Sequence, residues 1–379
     1  MEPYSIDVES LTPGAILDAD VLVDNRVILR RGRQVTPELI IRLKMQNVAQ
    51  VYTSSAVLAE KLRQSAALTA EVRELLSGDH PLIAETYGIA PRQTQRVMES
   101  ARGAIADAFR VVRDGGKLDL DAMRHTARSL IADVLVREGG AVKLGDIPSD
   151  ADYAPHHAVN VALFLHDIMS SVDTDTEKTE ATVLSGLLHD IGETRVSEGI
   201  LTKSGALTTE EFSAVKQHPA LGAKILREAG ADEQIVAVAL EHHEKYNGTG
   251  YPRGIRGDDV SLVGQAAGVC DVYDALTTTR SYRRRVNPAA AVSIIVQSSG
   301  SHFSPEAVRL FVQRIGVYPV GTCVRLSNEQ VAVVVKPNEL HETQPAVRVI
   351  ASLKGGKLAA PMDVDLATAG ISVKDVISI

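Results

Sequence analysis

The stretch Glu241-His242-His243-Glu244-Lys245-Tyr246-Asn247-Gly248-Thr249-Gly250-Tyr251-Pro252 joins two adjacent histidines to a glycine-rich turn. It follows an apolar segment with helical pattern, residues 235–240, so the histidines come at a helix end. Two adjacent imidazoles are costly to bury without partners, because each ring nitrogen needs a hydrogen bond or a metal ion. The run therefore predicts a buried polar site with a tight, rigid loop beside it.

Histidines and aspartates elsewhere in the chain extend this run into a candidate metal site. The predicted metal ligands are His157, His189, Asp190, His218, His242, His243 and Asp271. Imidazole combined with carboxylate favours Fe, Mn or Zn over Ca or Mg. Seven ligands are more than one ion needs, and the two oxygens of Asp190 suit a bridge between two ions.

Each short motif also has a structural interpretation. The dipeptide His189-Asp190 fits a buried histidine paired with an aspartate, and His218 alone fits a surface histidine. Asp271 follows an apolar helical run, where an acid is either a ligand or a cap. Asp274 suits a supporting contact to a ligand better than ligation itself.

The composition indicates a globular protein of two or three domains, with 379 residues, 45% apolar and 23% charged. A net charge of −8 argues against broad binding to nucleic acid polymers or anionic lipid. No segment approaches the roughly 18 apolar residues of a membrane span, and the first residues lack the features of a secretion signal. We therefore expect a cytoplasmic protein. The two cysteines form no CxxC pair, which disfavours disulfides and a thiolate zinc site.

Changes in pattern divide the chain into four predicted parts with a mainly α fold. Residues 1–55 form a small β-rich α+β domain, with a hairpin at Asp24-Asn25 and a helix over 36–45. Residues 56–147 form a helical connector, either a relay or a packed spacer. Residues 148–315 form an all-helical domain around the site. Residues 316–379 form a β-module with strands near 322–326, 331–335 and 346–350.

The order of the motifs resembles the HD-GYP domain family, the branch of the HD superfamily that hydrolyses cyclic di-GMP. The resemblance runs from about 148 to 315 and rests on the seven ligand positions together with Gly250-Tyr251-Pro252. Residues 1–60 look like the small domain often fused to this family, and residues 316–322 resemble the start of its C-terminal extension. The implied activity is hydrolysis of cyclic di-GMP to linear pGpG, with slower conversion to GMP.

The resemblance also implies how the ligands are shared between two ions. One ion takes His157, His189, Asp190 and Asp271; the other takes Asp190, His218, His242 and His243. A bridging water or hydroxide would be the nucleophile. Family members with a third metal carry a Glu where this chain has Tyr153, a poor ligand at neutral pH, so two ions are expected. Fe or Mn suits them best, with Zn, Ni or Co as alternatives.

Substrate contacts follow from the same resemblance. Arg280 and Arg283 match a phosphate-binding motif, and with Asp190 they are the predicted catalytic residues; the alternative is a solvated basic run that continues past them. Lys245 and Tyr251 are further predicted substrate contacts. The Gly-Tyr-Pro loop is linked in the family to GGDEF-type cyclases, which gives a candidate partner, and a homodimer is also expected.

The main departure from the family is Glu193, which stands where the family usually has a Lys that faces phosphate. A carboxylate there would repel a dianionic substrate. Two alternatives stay open beside cyclic di-GMP hydrolysis. One is a phosphodiesterase for another cyclic dinucleotide such as 3′,3′-cyclic GMP-AMP, because the motifs do not reveal base selectivity. The other, which Glu193 supports, is a weakly active sensor or scaffold.

Overall fold

The computed structural model describes residues 4–7, 19–23, 26–31, 33, 35, 39, 50–55, 92–135, 153–172, 175–203, 207–278, 286–338, 340–353 and 356–377. Within these ranges a helical domain is accompanied by antiparallel strands near both ends of the chain, which confirms the predicted fold class. The chain divides into two compact units, one of residues 87–286 and 298–316, and one of residues 1–86, 287–297 and 317–379.

The first unit is helical. Its helices are α1 (Arg92–Arg113), α2 (Leu120–Leu130), α3 (Tyr153–Met169), α4 (Thr176–Leu188), α5 (Glu198–Leu201), α6 (Thr209–Val215), α7 (His218–Glu228), α8 (Glu233–Glu241), α9 (Leu262–Thr277) and, after α10 (Pro288–Gln297) of the other unit, α11 (Pro305–Ile315). A π-helical turn at Ile131–Leu135 extends α2, and short 3-10 turns lie at Ile191–Arg195 and Gly257–Asp259. Of the helices described, none is both long and apolar enough to cross a bilayer.

Side-chain caps fix where several of these helices begin. Asp175 accepts hydrogen bonds from two N–H groups in the first turn of α4, and Ser261 accepts one from Gly264 in the first turn of α9. Thr208 and Glu211 form a reciprocal capping box ahead of α6. Such caps typically stabilise a helix start by about 1 kcal/mol each, so polar residues in the sequence set these boundaries.

One apolar core joins the first four helices. Ile105 and Phe109 of α1 and Met123 of α2 are buried in the same cluster as Leu163 of α3 and Leu184 of α4. Helices α1 and α2 fall within the predicted connector, and they pack against the helices that carry the first candidate ligands. The relay role of the connector and the four domain bounds stay predictions.

Helices α3 and α4 approach unusually closely at a glycine. A Cβ atom added to Gly186 of α4 would lie 2.3 Å from the Cα atom of Ala162 in α3. Any larger residue at this position would force the two helices apart. The pair Gly186 and Ala162 therefore brings His157 on α3 near the end of α4.

The second unit contains two antiparallel sheets. The strands of the N-terminal sheet are β1 (Tyr4–Asp7), β2 (Val21–Val23), β3 (Arg26–Leu29) and β4 (Gln50–Thr53), in the order β1-β4-β2-β3. Val23 pairs with Arg26, as the predicted hairpin requires, although the turn residues Asp24 and Asn25 lie outside the described residues. Of the predicted helix over 36–45, only Leu39 is described.

The C-terminal sheet has the order β8-β7-β6-β5-β9. Its elements are β5 (Cys323–Leu326), β6 (Gln330–Lys336), β7 (Ala346–Ser352), β8 (Gly356–Asp365), a short helix α12 (Leu366–Ala369) and β9 (Val373–Ile377). Strands β5, β6 and β7 lie where the sequence predicted them, whereas β8 and β9 were not predicted.

Candidate metal centre

The seven predicted metal ligands come from separate segments of the helical unit and meet in one place. His157 lies in α3, His189-Asp190 follows α4, His218 opens α7, His242-His243 follows α8, and Asp271 lies in α9. Their ligand atoms form two groups, each with all atoms within 4.8 Å of one another: Asp190, His218, His242 and His243 in one, and His157, His189 and Asp271 in the other. The six other ligands divide as the family resemblance implied, whereas Asp190, which the resemblance shares between both ions, falls in the first group.

Asp190 lies between the two groups. Its Oδ1 atom is 3.3 Å from Nε2 of both His218 and His242, and its Oδ2 atom is 3.2 Å from Nε2 of His189 and 3.9 Å from Nε2 of His157. Each carboxylate oxygen thus faces a different set of imidazoles, which is the arrangement that a bridging carboxylate needs.

The imidazole rings are oriented by their outer nitrogens. His189 and His218 each place Nδ1 2.8 Å from the carbonyl oxygen three residues earlier, and His242 places Nδ1 3.1 Å from the carbonyl oxygen four residues earlier. A carbonyl oxygen only accepts hydrogen bonds, so Nδ1 carries the proton in each ring. The Nε2 lone pair then points at the centre of the cluster, as in a metal-binding histidine.

His157 is oriented by a side chain instead of a carbonyl. Its Nδ1 atom lies 2.6 Å from Oδ2 of Asp274, a fully buried residue whose Oδ1 accepts hydrogen bonds from Asn160 at 2.8 Å and Thr278 at 3.2 Å. The Nε2 atom of His157 lies 3.1 Å from Oδ1 of Asp271. Asp274 therefore occupies the supporting position that its place in the sequence indicated.

Charges within the cluster keep both carboxylates ionised. Burial raises the pKa of Asp190, but the neighbouring His189 and His218 outweigh burial and hold that pKa well below its ordinary value. Burial also raises the pKa of Asp271, but the contact with His157 outweighs burial and holds that pKa below its ordinary value. Burial, reinforced by the adjacent imidazole, lowers the pKa of His243 well below its ordinary value. Burial alone would lower the pKa of His157, His189 and His218, but contacts that include the neighbouring carboxylates outweigh burial and raise it. A cation bound at the cluster would therefore displace protons from these rings, because a metal ion binds the neutral imidazole and the ionised carboxylate.

Two buried polar atoms of the cluster indicate that a cation belongs there. Among the residues that the structure describes, Nε2 of His189 and Oδ1 of Asp190 are buried and have no hydrogen-bond partner of regular geometry. Leaving such an atom unsatisfied costs about 1–3 kcal/mol. Imidazole nitrogen and carboxylate oxygen are donors that divalent transition metals accept, so these residues fit a divalent metal site.

Glycines allow the ligand-bearing segments to touch through their backbones. A Cβ atom on Gly192 would lie 1.9 Å from the carbonyl oxygen of His218, and one on Gly268 would lie 2.6 Å from the carbonyl oxygen of His242. These contacts join the segment after α4 to α7, and α9 to the end of α8. Sequence reasoning did not assign a role to either glycine.

The Gly-Tyr-Pro loop folds back onto the second histidine of the His242-His243 pair. A Cβ atom on Gly250 would lie 2.3 Å from the backbone nitrogen of Lys245, and Tyr251 N donates to His243 O at 3.2 Å. The Tyr251-Pro252 peptide bond is cis, and the Tyr251 ring lies 4.8 Å from the His243 ring between centroids. Burial raises the pKa of the Tyr251 phenol, which stays protonated. Both predicted contacts, Lys245 and Tyr251, thus lie on a loop beside the cluster.

A buried carboxylate that the sequence did not single out ties this loop to α9. Glu241 is 7% exposed and accepts hydrogen bonds from Ser261 N at 2.9 Å, from Ser261 Oγ at 2.6 Å and from the Arg253 guanidinium at 2.7 Å. Arg253 directly follows the Gly-Tyr-Pro motif, and Ser261 caps α9. In the sequence, Glu241 stands directly before the paired histidines, and Arg253 follows twelve residues later. This spacing is not specific enough to predict the contact between them.

Glu193 lies on the 3-10 turn that directly follows Asp190. Burial raises the pKa of its carboxyl group to about 7, and the charge of Asp190 adds to that effect, while His218 and His157 oppose it. The acid is therefore within electrostatic range of the cluster, as its sequence position suggested. Two other predicted substrate contacts, Arg280 and Arg283, lie outside the described residues.

Helix ends that assemble histidines around a His-Asp pair define an HD-type domain. The family model for the HD domain matches residues 129–307. The chain is 34% identical, over 281 residues, to the cyclic di-GMP phosphodiesterase PA4108 of Pseudomonas aeruginosa, covering 74% of this chain and 67% of that protein. The chain belongs to the HD domain family, in its HD-GYP group, as the motifs indicated.

Two relatives from Vibrio cholerae are similar over shorter stretches. One, a cyclic di-GMP phosphodiesterase, is 40% identical over 135 residues, which is 34% of this chain and 27% of that protein. The other, 3′3′-cGAMP-specific phosphodiesterase 3, is 31% identical over 173 residues, which is 46% of this chain and 38% of that protein. The match thus covers well under half of either Vibrio protein.

Proposed function

We propose that this chain hydrolyses cyclic di-GMP to linear pGpG at a centre of two divalent metal ions. The position of Asp190 carries the proposal, because its two oxygens face two different groups of imidazoles. The names of the relatives support the substrate class, and those relatives include both cyclic di-GMP and 3′,3′-cyclic GMP-AMP phosphodiesterases.

When bound, the two ions would acidify a water molecule and neutralise charge that develops on the phosphoryl oxygens. The chain's part is to hold them in place. His157, His189 and Asp271 would hold one ion, the remaining three histidines the other, and Asp190 both. The fixed Nδ1 protons keep the Nε2 lone pairs aimed inward. Arg280 and Arg283 would bind the phosphates of the substrate.

The presence of Tyr153 favours a centre of two ions over a centre of three. It occupies the position of the third-metal Glu, and its ring stacks on the His157 ring, with 5.2 Å between centroids and 14° between planes. A phenol is a poor ligand at neutral pH, because its ordinary pKa is about 10. By resemblance, a two-metal centre favours pGpG as the main product over GMP. Fe or Mn suits the mixed ligands best, with Zn, Ni or Co as alternatives.

The second candidate substrate is 3′,3′-cyclic GMP-AMP. It is favoured by the similarity to 3′3′-cGAMP-specific phosphodiesterase 3 of Vibrio cholerae. The metal ions would act on the phosphodiester and not on a base, so the cluster itself would not distinguish a guanine from an adenine.

A weakly active sensor or scaffold is the third candidate, favoured by Glu193. A carboxylate beside the cluster would repel the phosphates of either substrate. The complete set of seven candidate ligands weighs against a pure binding module, which has no need for two metals. The GGDEF-type cyclase partner and the homodimer stay predictions.

Turnover by protein reconstituted with Fe(II) or Mn(II) tests these candidates. Cyclic di-GMP and 3′,3′-cyclic GMP-AMP would each be incubated with the wild type, with Asp190→Ala, and with the surface control Asp107→Ala, and the products separated by chromatography. We expect pGpG from the wild type and the control, and none from Asp190→Ala. Binding of cyclic di-GMP by the metal-loaded wild type without hydrolysis would favour the sensor instead.

A further inference from the structure

An exposed aromatic residue lies close to the cluster without a role in it. Phe212 is on α6, and its residue surface is 46% exposed. A single exposed apolar residue is common on protein surfaces and needs no explanation by itself. Phe212 differs from such an isolated residue because an aromatic ring and a lysine lie beside it.

Aromatic rings lead from the candidate metal centre to Phe212. The His243 ring and the Tyr251 ring are 4.8 Å apart between centroids, and the Tyr251 ring and the Phe212 ring are 6.4 Å apart at an interplanar angle of 80°. The first contact is a tilted stack and the second is edge-to-face, both normal for aromatic pairs. Phe212 is therefore one ring further out than Tyr251, on the way from the cluster to solvent.

A cation accompanies this ring. Nζ of Lys216, one helical turn after Phe212, lies 5.1 Å from the Phe212 ring centroid. A cation at this distance from an aromatic face is attracted by the ring and helps to hold its orientation. Lys216 is also two residues before the candidate ligand His218 in the sequence.

An exposed aromatic ring with a neighbouring cation matches the chemistry of a nucleotide. Nucleobases stack on aromatic side chains whatever their sequence, because every base has a π-face, while cations attract the phosphates. We infer that Phe212 stacks a nucleobase of the cyclic dinucleotide whose phosphodiester lies at the His-Asp cluster. This inference rests on the proposed function and adds a substrate-binding residue that the family motifs did not indicate.

Steady-state kinetics of four variants test the stacking role. Phe212→Ala removes the ring, Phe212→Leu keeps an apolar side chain without a ring, and Phe212→Trp keeps an aromatic ring. Val172→Ala is the matched control, because Val172 is also exposed and lies in the turn after α3, whereas His157 lies near the start of that helix. Each variant would be assayed with cyclic di-GMP and with methyl p-nitrophenyl phosphate, a phosphodiester that carries no nucleobase.

We expect Phe212→Ala and Phe212→Leu to raise KM for cyclic di-GMP by about tenfold, the loss typical of one stacked base, with little change in kcat. Phe212→Trp and the control should stay near the wild type, and all variants should cleave the base-free diester equally. An unchanged KM in Phe212→Ala, or an equal loss with both substrates, would overturn the stacking role alone. A wild type that cleaves the base-free diester and no cyclic dinucleotide would overturn the proposed function, and the inference with it.

Discussion

The Asp274 carboxylate holds Nδ1 of His157 at 2.6 Å, and it is the one side chain among the described residues that orients a candidate ligand ring in place of a backbone carbonyl. Because its other oxygen is fixed by Asn160 and Thr278, the carboxylate cannot turn away. Helices α3 and α9, which are distant in sequence, thus together fix the orientation of one candidate ligand ring. This contact gives a direct way to weaken the metal site without removing a ligand.

Asp274→Asn should lower metal affinity by about 10- to 100-fold, since supporting partners of metal-bound histidines usually contribute that much. The amide keeps the shape but not the charge of the carboxylate. Isothermal titration of the metal-free protein with Mn(II) measures the change. Asp167→Asn is the matched control, because Asp167 is also buried and paired, with Arg314, outside the cluster. It should lose stability and keep its metal affinity; equal affinities in both variants would contradict the role of Asp274.

Replacing Asp190, the proposed bridge, should remove more metal than replacing His157, a proposed ligand of one ion. The wild type should hold two ions per chain, His157→Ala one, and Asp190→Ala almost none, because one oxygen of Asp190 faces His189 in one group and the other faces His218 in the second group. Elemental analysis after removal of loosely bound metal gives the counts. Three tightly held ions in the wild type would reject the two-metal centre, and one remaining ion in Asp190→Ala would reject the bridge.

Glu193→Lys should raise kcat/KM for cyclic di-GMP by about tenfold, because a repelling charge near the phosphates becomes an attracting one. Glu193→Gln, which removes the negative charge without adding a positive one, should fall between the wild type and the Lys variant. Kinetics at low ionic strength measure the series most clearly, since salt screens the effect. An unchanged or lower kcat/KM in the Lys variant would rule out charge repulsion by Glu193 as a cause of reduced activity.

Glu241→Ala should lower the free energy of unfolding by about 2–3 kcal/mol, because a buried carboxylate and its hydrogen bonds from Ser261 and Arg253 are lost. Arg253→Ala should cost about 1 kcal/mol or less, since the Arg253 side chain is 41% exposed and water can replace it. Urea denaturation of both metal-free variants compares them. Equal losses would mean that the ion pair, and not the contact with Ser261, accounts for the effect.

Gly192→Ala should destabilise the fold strongly or prevent folding, because its Cβ atom would lie 1.9 Å from the carbonyl oxygen of His218. Gly199→Ala is the matched control, since the nearest atom to its Cβ would be Ser197 Oγ at 3.9 Å. Thermal unfolding of the two variants measures the difference. A Gly192→Ala protein with the melting temperature of the control would show that the two segments can separate at little cost.

The residues that form the His-Asp cluster could be picked out from the sequence because each stands at a recognisable helix end or within a family motif, and their role as metal ligands stays a prediction. His189-Asp190 and His242-His243 each follow an apolar helical run, and the pattern alone locates them. Their division between two groups came from the resemblance, and, Asp190 apart, the same division appears in the distances. Local patterns therefore located the ligands, while their pairing needed either a relative or a fold.

Other features depend on contacts that no local pattern records. The close approach at Gly192 joins segments that pack only in the folded domain, and an isolated glycine in a sequence also fits a turn or a cap. Strand β8 contains Pro361 and has a mixed polar pattern, so its pairing with β7 follows from neighbouring strands more than from its own residues. Glu241 was missed because its partners are twelve and twenty residues away.

Three of the ligand rings are oriented by backbone carbonyls of their own helix ends, a feature with a consequence for how this centre tolerates change. A carbonyl oxygen is present whatever residue occupies its position, so substitutions at Val215 or Val238 would leave the hydrogen bond to the ring in place. His157 depends instead on the Asp274 side chain, and the Nδ1 atom of His243 lies 3.8 Å from Oδ2 of Asp271. Substitutions at Val215 and Val238 can therefore accumulate without changing the hydrogen bonds that orient His218 and His242, whereas Gly186, which orients His189, is constrained by its contact with Ala162. A designer who wished to transplant the centre would need helix ends of the right length, the glycine at the contact between α3 and α4, and the helper residue Asp274.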